Sequence, residues 1–339
     1  MKKKVFLIVT AILLLSAFLS YDYYKRIFDV NVELEQDEVF LYIPTGASAD
    51  QLLDSLNPYL KDTASFIWVA QRKSYWSKIR PGRYKIENNW NNNQLVNHLR
   101  AGKQAAINII LNNIKYKRDL ADFFGAQLEA PADSFLSLFN SEEALAEYDL
   151  SPRTVLGIFR PNTYQLYWNT SAQATLERMI KENKKFWESR EAALKRSGLS
   201  EQEVVSLASI VEAETAKPDE MPTVAGLYLN RIKRGIKLQS DPTVIYAIQQ
   251  EFPDTVIRRV LFRDLEYDSP YNTYLYKGLP PGPIRIPNAQ AIDAVLNAEQ
   301  HRYIFMCANP EKPGYHSFAS SLRVHNINRD KYIRWVRRQ

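Results

Sequence analysis

Two hydrophobic patterns divide this chain. From Val5 to Ser20 apolar residues follow one another without a charge for about 16 residues, near the lower limit for a bilayer span. Beyond that the apolar positions break into short segments of strand or helix period, separated by turn residues, the pattern of an α+β protein. Val39 to Ile43 reads as a strand. Ser48, with Gln51 three residues on, makes a capping box and opens a helix to about Leu56. A second helix covers about 64–73, and Tyr84 to Ile86 returns as a strand after the Pro81-Gly82 turn. A short helix from Asn93 is closed by Gly102. Ala106 to Leu111 is a further strand, followed by a helix through Leu120 and Phe124 to Gly125. Short amphipathic helices fill about 132–196, broken at Arg160 to Tyr164. The longest is predicted over 172–196, with an apolar stripe of Leu176, Met179, Ile180 and Trp187 and a solvated face of Lys181, Glu182, Lys184, Lys185 and Glu191.

From residue 200 the signals sharpen. Ser200 and Glu203 form a capping box for a helix that Pro218 ends. Pro222 opens another, which runs to Gly235, and Asp241-Pro242 starts a third. A proline-rich loop spans Tyr271 to Pro283. A helix over about 289–299, strands at 303–307 and 315–319, and a terminal helix complete the chain.

Composition changes this picture little: 45% hydrophobic and 24% charged residues are ordinary for a globular chain of 339 residues. The net charge of +6 is diffuse apart from Arg323, Arg329, Lys331, Arg334, Arg337 and Arg338 near the end. No aromatic and basic nucleic-acid motif accompanies that cluster, so nucleic acid is not an expected partner. The single cysteine, Cys307, excludes an intrachain disulfide and a cysteine metal site, and reads as a buried strand residue. The four histidines are scattered; His316 and His325 are not at metal spacing, so no metal is expected. No phosphate loop or nucleophile elbow is present, so no cofactor is expected either.

The N-terminal run sets the compartment. Lys2, Lys3 and Lys4 precede it, Tyr21, Tyr23 and Tyr24 suit an interfacial aromatic belt, and Lys25 and Arg26 can snorkel. The small-x-small cleavage pattern of a signal peptide is spoiled by Phe18. An uncleaved anchor over 5–21 with a cytoplasmic tail of residues 1–4 is therefore expected, a cleaved signal being the alternative.

Candidate chemistry concentrates in Leu207-Ala-Ser-Ile-Val-Glu212-Ala-Glu-Thr-Ala216. Two carboxylates end an almost wholly apolar helix. A buried carboxylate is costly unless it is paired or used, and one held in apolar surroundings keeps a proton near neutral pH, as a general acid must. At 100° per residue, Glu212 lies over Ala208 and Val205, and Glu214 lies roughly 200° away over Ile210 and Leu207. They cannot form the close pair of a retaining glycosidase. Helix capping or buried salt bridges would also explain them, although acids oppose the macrodipole at a C-terminus. The small Ala208 and Ser209 leave space above Glu212, which favours Glu212 as the acid and leaves Glu214 to anchor the helix end or meet substrate. Gln239, Asn272 and Thr273 can hydrogen-bond sugar hydroxyls, and Tyr246, Tyr271 and Tyr274 offer flat faces to a sugar ring. The rigid Leu279-Pro-Pro-Gly-Pro283 can hold a wall.

The ordered series Leu207-Ala-Ser-Ile-Val-Glu-Ala-Glu-Thr215, Leu229-Asn-Arg231, Leu238-Gln-Ser-Asp-Pro-Thr-Val-Ile-Tyr246, Tyr271-Asn-Thr-Tyr274, Gly278-Leu-Pro-Pro-Gly-Pro-Ile284 and His316-Ser-Phe318 with His325-Asn326 resembles the YceG-like endolytic murein transglycosylases. The strand–helix–helix–strand order over 38–103 resembles the small sugar-binding LysM module, with a connecting region at 104–199 and the catalytic core at 200–339. The resemblance implies cleavage of the β-1,4 bond between N-acetylmuramic acid and N-acetylglucosamine without water, leaving 1,6-anhydro ends on nascent peptidoglycan strands. It implies Glu212 as sole acid and base; Glu214, Gln239, Asp241, Thr243, Tyr246, Tyr271, Asn272, Thr273, Tyr274 and His316 are the candidate substrate contacts. It also implies a single-pass protein of the inner membrane, its catalytic part outside the cytoplasm beside the cell-wall synthesis machinery. A hydrolytic muramidase and a non-catalytic peptidoglycan-binding scaffold are the rival readings.

Overall fold

The computed structural model of the chain describes residues 2–338, which divide into two compact units. The first holds α1 (Lys2–Phe28), β1 (Glu38–Ile43), α2 (Ala49–Leu56), α3 (Thr63–Arg72), β2 (Gly82–Glu87) and α4 (Asn92–Ala101). α1 has 27 residues, none of them buried, and is long and apolar enough to cross a membrane. It runs on through the tyrosine belt to Phe28 rather than stopping near residue 21. The segment after it makes only single bridges, Val30 with Asn91 and Val32 with Leu60, instead of a strand. Buried Asn31 explains the hold: its Nδ2 donates to the Asp62 carbonyl and Asn92 Oδ1, and its Oδ1 accepts from the Asp62 amide at 2.7 Å. Such a fully bonded polar group costs little to bury.

β1 and β2 pair antiparallel, Glu38 opposite Glu87 and Ile43 opposite Gly82. The start named at Ser48 carries its capping bonds to Gln51, and α4 begins at Asn92, one residue before the expected Asn93, behind a second capping box of Asn91 and Gln94. Gly102 ends α4 at φ +69°, a left-handed turn that glycine adopts without strain. Leu41, Ile43, Leu52, Phe66, Tyr84 and Leu95 fill the core of this unit.

The second unit is mainly helical. The chain reaches it through β3 (Ile107–Leu111), and it holds α5 (Lys117–Gly125), α6 (Ala132–Asn140) and α7 (Glu142–Ala146). The break expected at Arg160 contains a short strand, β4 (Asn162–Leu166). The helix expected over 172–196 is two, α8 (Ala172–Glu188) and α9 (Glu191–Ser197). Arg190 takes the break: its guanidinium makes two bonds to Asp293, at 2.7 and 2.9 Å, and lies 3.9 Å from the Phe186 ring centre.

α10 (Glu201–Glu214) is the centre of this unit. Ser200 and Glu203 form its capping box, and Val204 to Val211 are buried without interruption. A helix apolar on every side has to be enclosed, and α11 (Met221–Lys233), α12 (Asp241–Glu251) and α13 (Ala289–Leu296) pack on it. Each fully buried Val, Leu or Ile contributes about 1.5–3 kcal/mol. α10 stops at Glu214, ahead of Pro218, because buried Thr215 is extended (φ −138°, ψ 134°) and its hydroxyl accepts the Lys217 amide. β5 (Phe305–Ala308) and β6 (His316–Ala319) form an antiparallel pair on which α14 (Leu322–Val336) rests. Cys307 lies in β5 as a half-buried residue, not a core one.

Candidate active site

The two glutamates at the end of α10 do face apart. Glu212 is held on both oxygens: Oε2 accepts the Asn288 amide at 2.8 Å, and Oε1 lies 3.7 Å from Arg285. Asn288 is the N-cap of α13, so Glu212 fastens the end of α10 to the start of α13. The Glu212 side chain keeps 15% of its exposure. Ala208 and Ser209 are fully buried, and the Ser209 hydroxyl accepts the Ile284 amide at 3.0 Å while donating to the Ser206 carbonyl. Gly282 brings the proline-rich loop against the Arg153 carbonyl, where a side-chain carbon would sit only 1.9 Å from the oxygen.

Glu214 opens into a groove of about 430 Å³. α11 supplies Leu227, Tyr228 and Arg231 to it, the chain before α12 supplies Leu238 and Gln239, α12 begins in it with Asp241, and Tyr274 comes from the loop. Phe305 to Ala308, His316, and Leu322, His325, Asn326 and Arg329 of α14 complete it. The Tyr228 hydroxyl donates to Glu214 Oε1 at 2.7 Å, and the Ser240 hydroxyl donates to the same oxygen. Oε2 has no hydrogen-bond partner among the described residues and is the atom open to a ligand. Burial pushes the Glu214 pKa up, against the opposing pull of the Ser240 and Tyr228 bonds and the nearby His316. Burial and the adjacent carboxylate push the Tyr228 pKa well above its usual value, so its hydroxyl keeps the donor proton.

The walls are fixed by their own bonds. Buried Glu220 accepts from the His316 amide and lies 2.9 Å from its Nδ1, which sets the imidazole. Arg231 donates to the Lys237 and Ile304 carbonyls at 2.8 Å and to Gln239 Oε1. Gln239 has φ +52°, a backbone strain of the sort found at functional sites. The Tyr274 hydroxyl donates to Asp241 at 2.6 Å.

Glu214, Gln239, Asp241, Tyr274 and His316 therefore come together, as residues expected to meet substrate. The other expected contacts are enclosed. Asn272 is fully buried, donating to the Leu265 and Tyr267 carbonyls and accepting the Tyr274 amide, so it staples its own loop. Thr243 and Thr273 are buried and bonded to each other at 2.8 Å. Tyr246 stacks on Tyr116, with ring centres 5.3 Å apart, and packs on Tyr271; both Tyr246 and Tyr271 are core. None of these five side chains has a face free for a sugar. Tyr228 and Glu220 were not singled out from sequence, and Arg231 and Ser240 stood in the motifs without a role of their own. The signal was there in part: Tyr228 and Arg231 are three apart on one face of α11, and Ser240 precedes the Asp-Pro helix start.

The YceG-like family model matches residues 41–331. An endolytic murein transglycosylase of Bacillus subtilis is 33% identical over 165 residues, 49% of this chain and 44% of that protein. One of Streptococcus pneumoniae is 23% identical over 359 aligned positions, covering 97% of this chain and 64% of that protein. The chain thus spans less than two thirds of the length of these relatives. The crystal structure of a YceG-like protein from Listeria monocytogenes superposes with a TM-score of 0.56 at 26% identity, covering 86% of this chain and 99% of that one. With the ordered motifs, the fold and a family match over most of its length in agreement, the chain belongs to the YceG-like family.

Proposed function

We propose that this protein is a lytic transglycosylase of peptidoglycan and that Glu214, rather than Glu212, is its general acid and base. The observation that carries this is the setting of the Glu214 carboxyl: burial pushes its pKa up, one oxygen is fixed by two donors, and the residue lines a polar groove. Oε2–H would protonate the glycosidic oxygen as the bond from C1 breaks, through an oxocarbenium-like state. The carboxylate so formed would take the proton of the muramyl C6 hydroxyl as O6 attacks C1. One C–O bond breaks, one forms, the proton moves from O6 to the leaving oxygen, and no water is used. A single carboxyl suffices, in keeping with the two glutamates facing apart. The motif match alone favours Glu212, and its engaged oxygens argue against it.

The antiparallel β1–β2 pair enclosing two helices supports a LysM-like module over 38–103 that holds glycan. α1 supports a single-pass anchor with Lys2 to Lys4 on the cytoplasmic side, which would keep the groove near new strands and the machinery that makes them.

Mass spectrometry of fragments released from purified peptidoglycan tests the reaction. Internal fragments ending in 1,6-anhydromuramic acid are expected. Reducing ends would make the protein a hydrolase, and glycan binding without cleavage would make it a scaffold.

A further inference from the structure

Within the first unit, α1 is joined to the folded module without a free linker. Ile27 packs on the module core, the Asn92 side chain at the start of α4 donates to the Arg26 carbonyl at 2.9 Å, and the Val30–Asn91 bridge follows at once. The Arg26 carbonyl belongs to the last turn of α1, where carbonyls have no partner within the helix, so the module itself closes α1. α3 lies beside that end. Tyr23 of α1 meets Trp68 of α3 edge to face, with ring centres 5.0 Å apart, so the depth of Trp68 is tied to that of Tyr23. The uncharged run from Val5 to Ser20 rises only about 24 Å as a helix, short of a hydrocarbon core of about 30 Å. Tyr21, Tyr23 and Tyr24 complete the span and fall at its boundary, where tyrosine is favoured.

The outer face of α3 has the composition of an interfacial helix. Ser65, Phe66, Val69 and Ala70 turn into the core, whereas Ile67 is 36% exposed, Arg72 is exposed and Trp68 is half-buried. Arg26 and Arg72 lie over the Trp68 ring, 5.7 and 5.2 Å from its centre. The carboxylates near this end of α1 are engaged: Asp22 with Arg26 at 2.9 Å, Asp29 with Lys25 at 3.9 Å, and Asp62 as the N-cap of α3. Arg72 has no acidic partner among the described residues, and a guanidinium is well suited to phosphate oxygens. We propose that α3 is a second membrane contact: Ile67 and Trp68 enter the lipid headgroup layer at the level of Tyr23, and Arg72 meets a lipid phosphate. Continuity with α1 makes the phospholipid surface the occupant of this face, and the proposal rests on α1 being a membrane anchor. The module then lies on the bilayer in one orientation instead of turning about a tether.

Spin labels in the full chain, reconstituted into vesicles of phosphatidylcholine and phosphatidylglycerol, test this. With Cys307→Ser removing the single native thiol, Phe18→Cys and Ile67→Cys each give a chain with one label, and circular dichroism checks that both are folded. Phe18 is 67% exposed on α1 and serves as the reference for the span. Collision of each label with oxygen, which concentrates in hydrocarbon, is compared with collision with a water-soluble nickel chelate. The oxygen-to-nickel ratio should be highest at Phe18. At Ile67 it should be several-fold above that of free label in water, and Arg72→Glu should lower it. A water-like ratio at Ile67 with Phe18 immersed would overturn the proposal and leave the anchor standing. Water-like ratios at both positions would overturn both. A raised ratio at Ile67 that Arg72→Glu leaves unmoved would overturn the phosphate contact.

Discussion

The two sides of the end of α10 carry the same functional group and do opposite things with it. On one side Glu212 meets a backbone amide and an arginine, and the carboxylate is consumed in joining α10 to α13. On the other, Glu214 has one oxygen fixed by hydroxyls and the other left to the groove. Donors to a carboxylate favour its ionised form, charged ones more than neutral ones, and at Glu214 burial outweighs the two neutral hydroxyls. On the proposed assignment, the difference between a bracket and an acid lies in the partners, and an interval of two residues on a helix is enough to change them.

Turnover separates the two sides most widely. Glu214→Gln keeps the shape and its Oε1 acceptor but cannot give or take a proton. It should cut kcat about 10³-fold, within the range of a general acid–base loss, while glycan binding persists. Glu212→Gln should cost well under the roughly 10²-fold floor of such a loss. Release of soluble glycan fragments over time measures both. The reverse ranking would return the acid to Glu212 and make Glu214 the bracket.

How far this was readable from the residues follows the same division. The 100° step of a helix tells that Glu212 and Glu214 point apart, and the capping boxes at Ser48 and Ser200 mark starts by purely local bonds. Which side opens is decided by Phe305, His316 and His325, about a hundred residues further along, and by Ser209 closing onto Ile284. No local pattern carries that. Asn272, Thr243 and Thr273 misled for a related reason. A loop without regular pairing must satisfy its buried backbone with side chains, so polar residues in such a loop can serve the loop instead of a ligand. Tyr246 and Tyr271 show the aromatic version, core rings in a motif that reads like a sugar platform.

Stability sharpens the contrast from the other direction. Glu212→Ala leaves the Asn288 amide without its acceptor at the start of α13 and should destabilise the protein by about 1–3 kcal/mol. Urea unfolding, followed by circular dichroism, would register this as a lower midpoint at unchanged slope. A midpoint equal to that of the parent protein would mean that Glu212 fastens nothing.

The smallest effect has the opposite sign and belongs to the other side. The folded chain holds the Glu214 pKa above its unfolded value. In the interval between those values the folded state binds more protons, so stability is lost as pH rises through it, and the whole penalty is present above the folded value. Glu214→Gln removes the charge and retains an acceptor for Tyr228 and Ser240. The variant should therefore melt higher than the parent at pH 7, by about 2–4 °C for each kcal/mol regained, with the gap closing as the pH approaches 4. Glu212→Gln should show no such rise, because its carboxylate has an amide and an arginine to lose. Thermal melts of both variants across pH 4–8 would read the two sides of α10 without reference to activity. A Glu214→Gln variant no more stable than its parent at pH 7 would mean that the carboxyl is not kept protonated by burial, removing the physical basis for assigning it the role of acid.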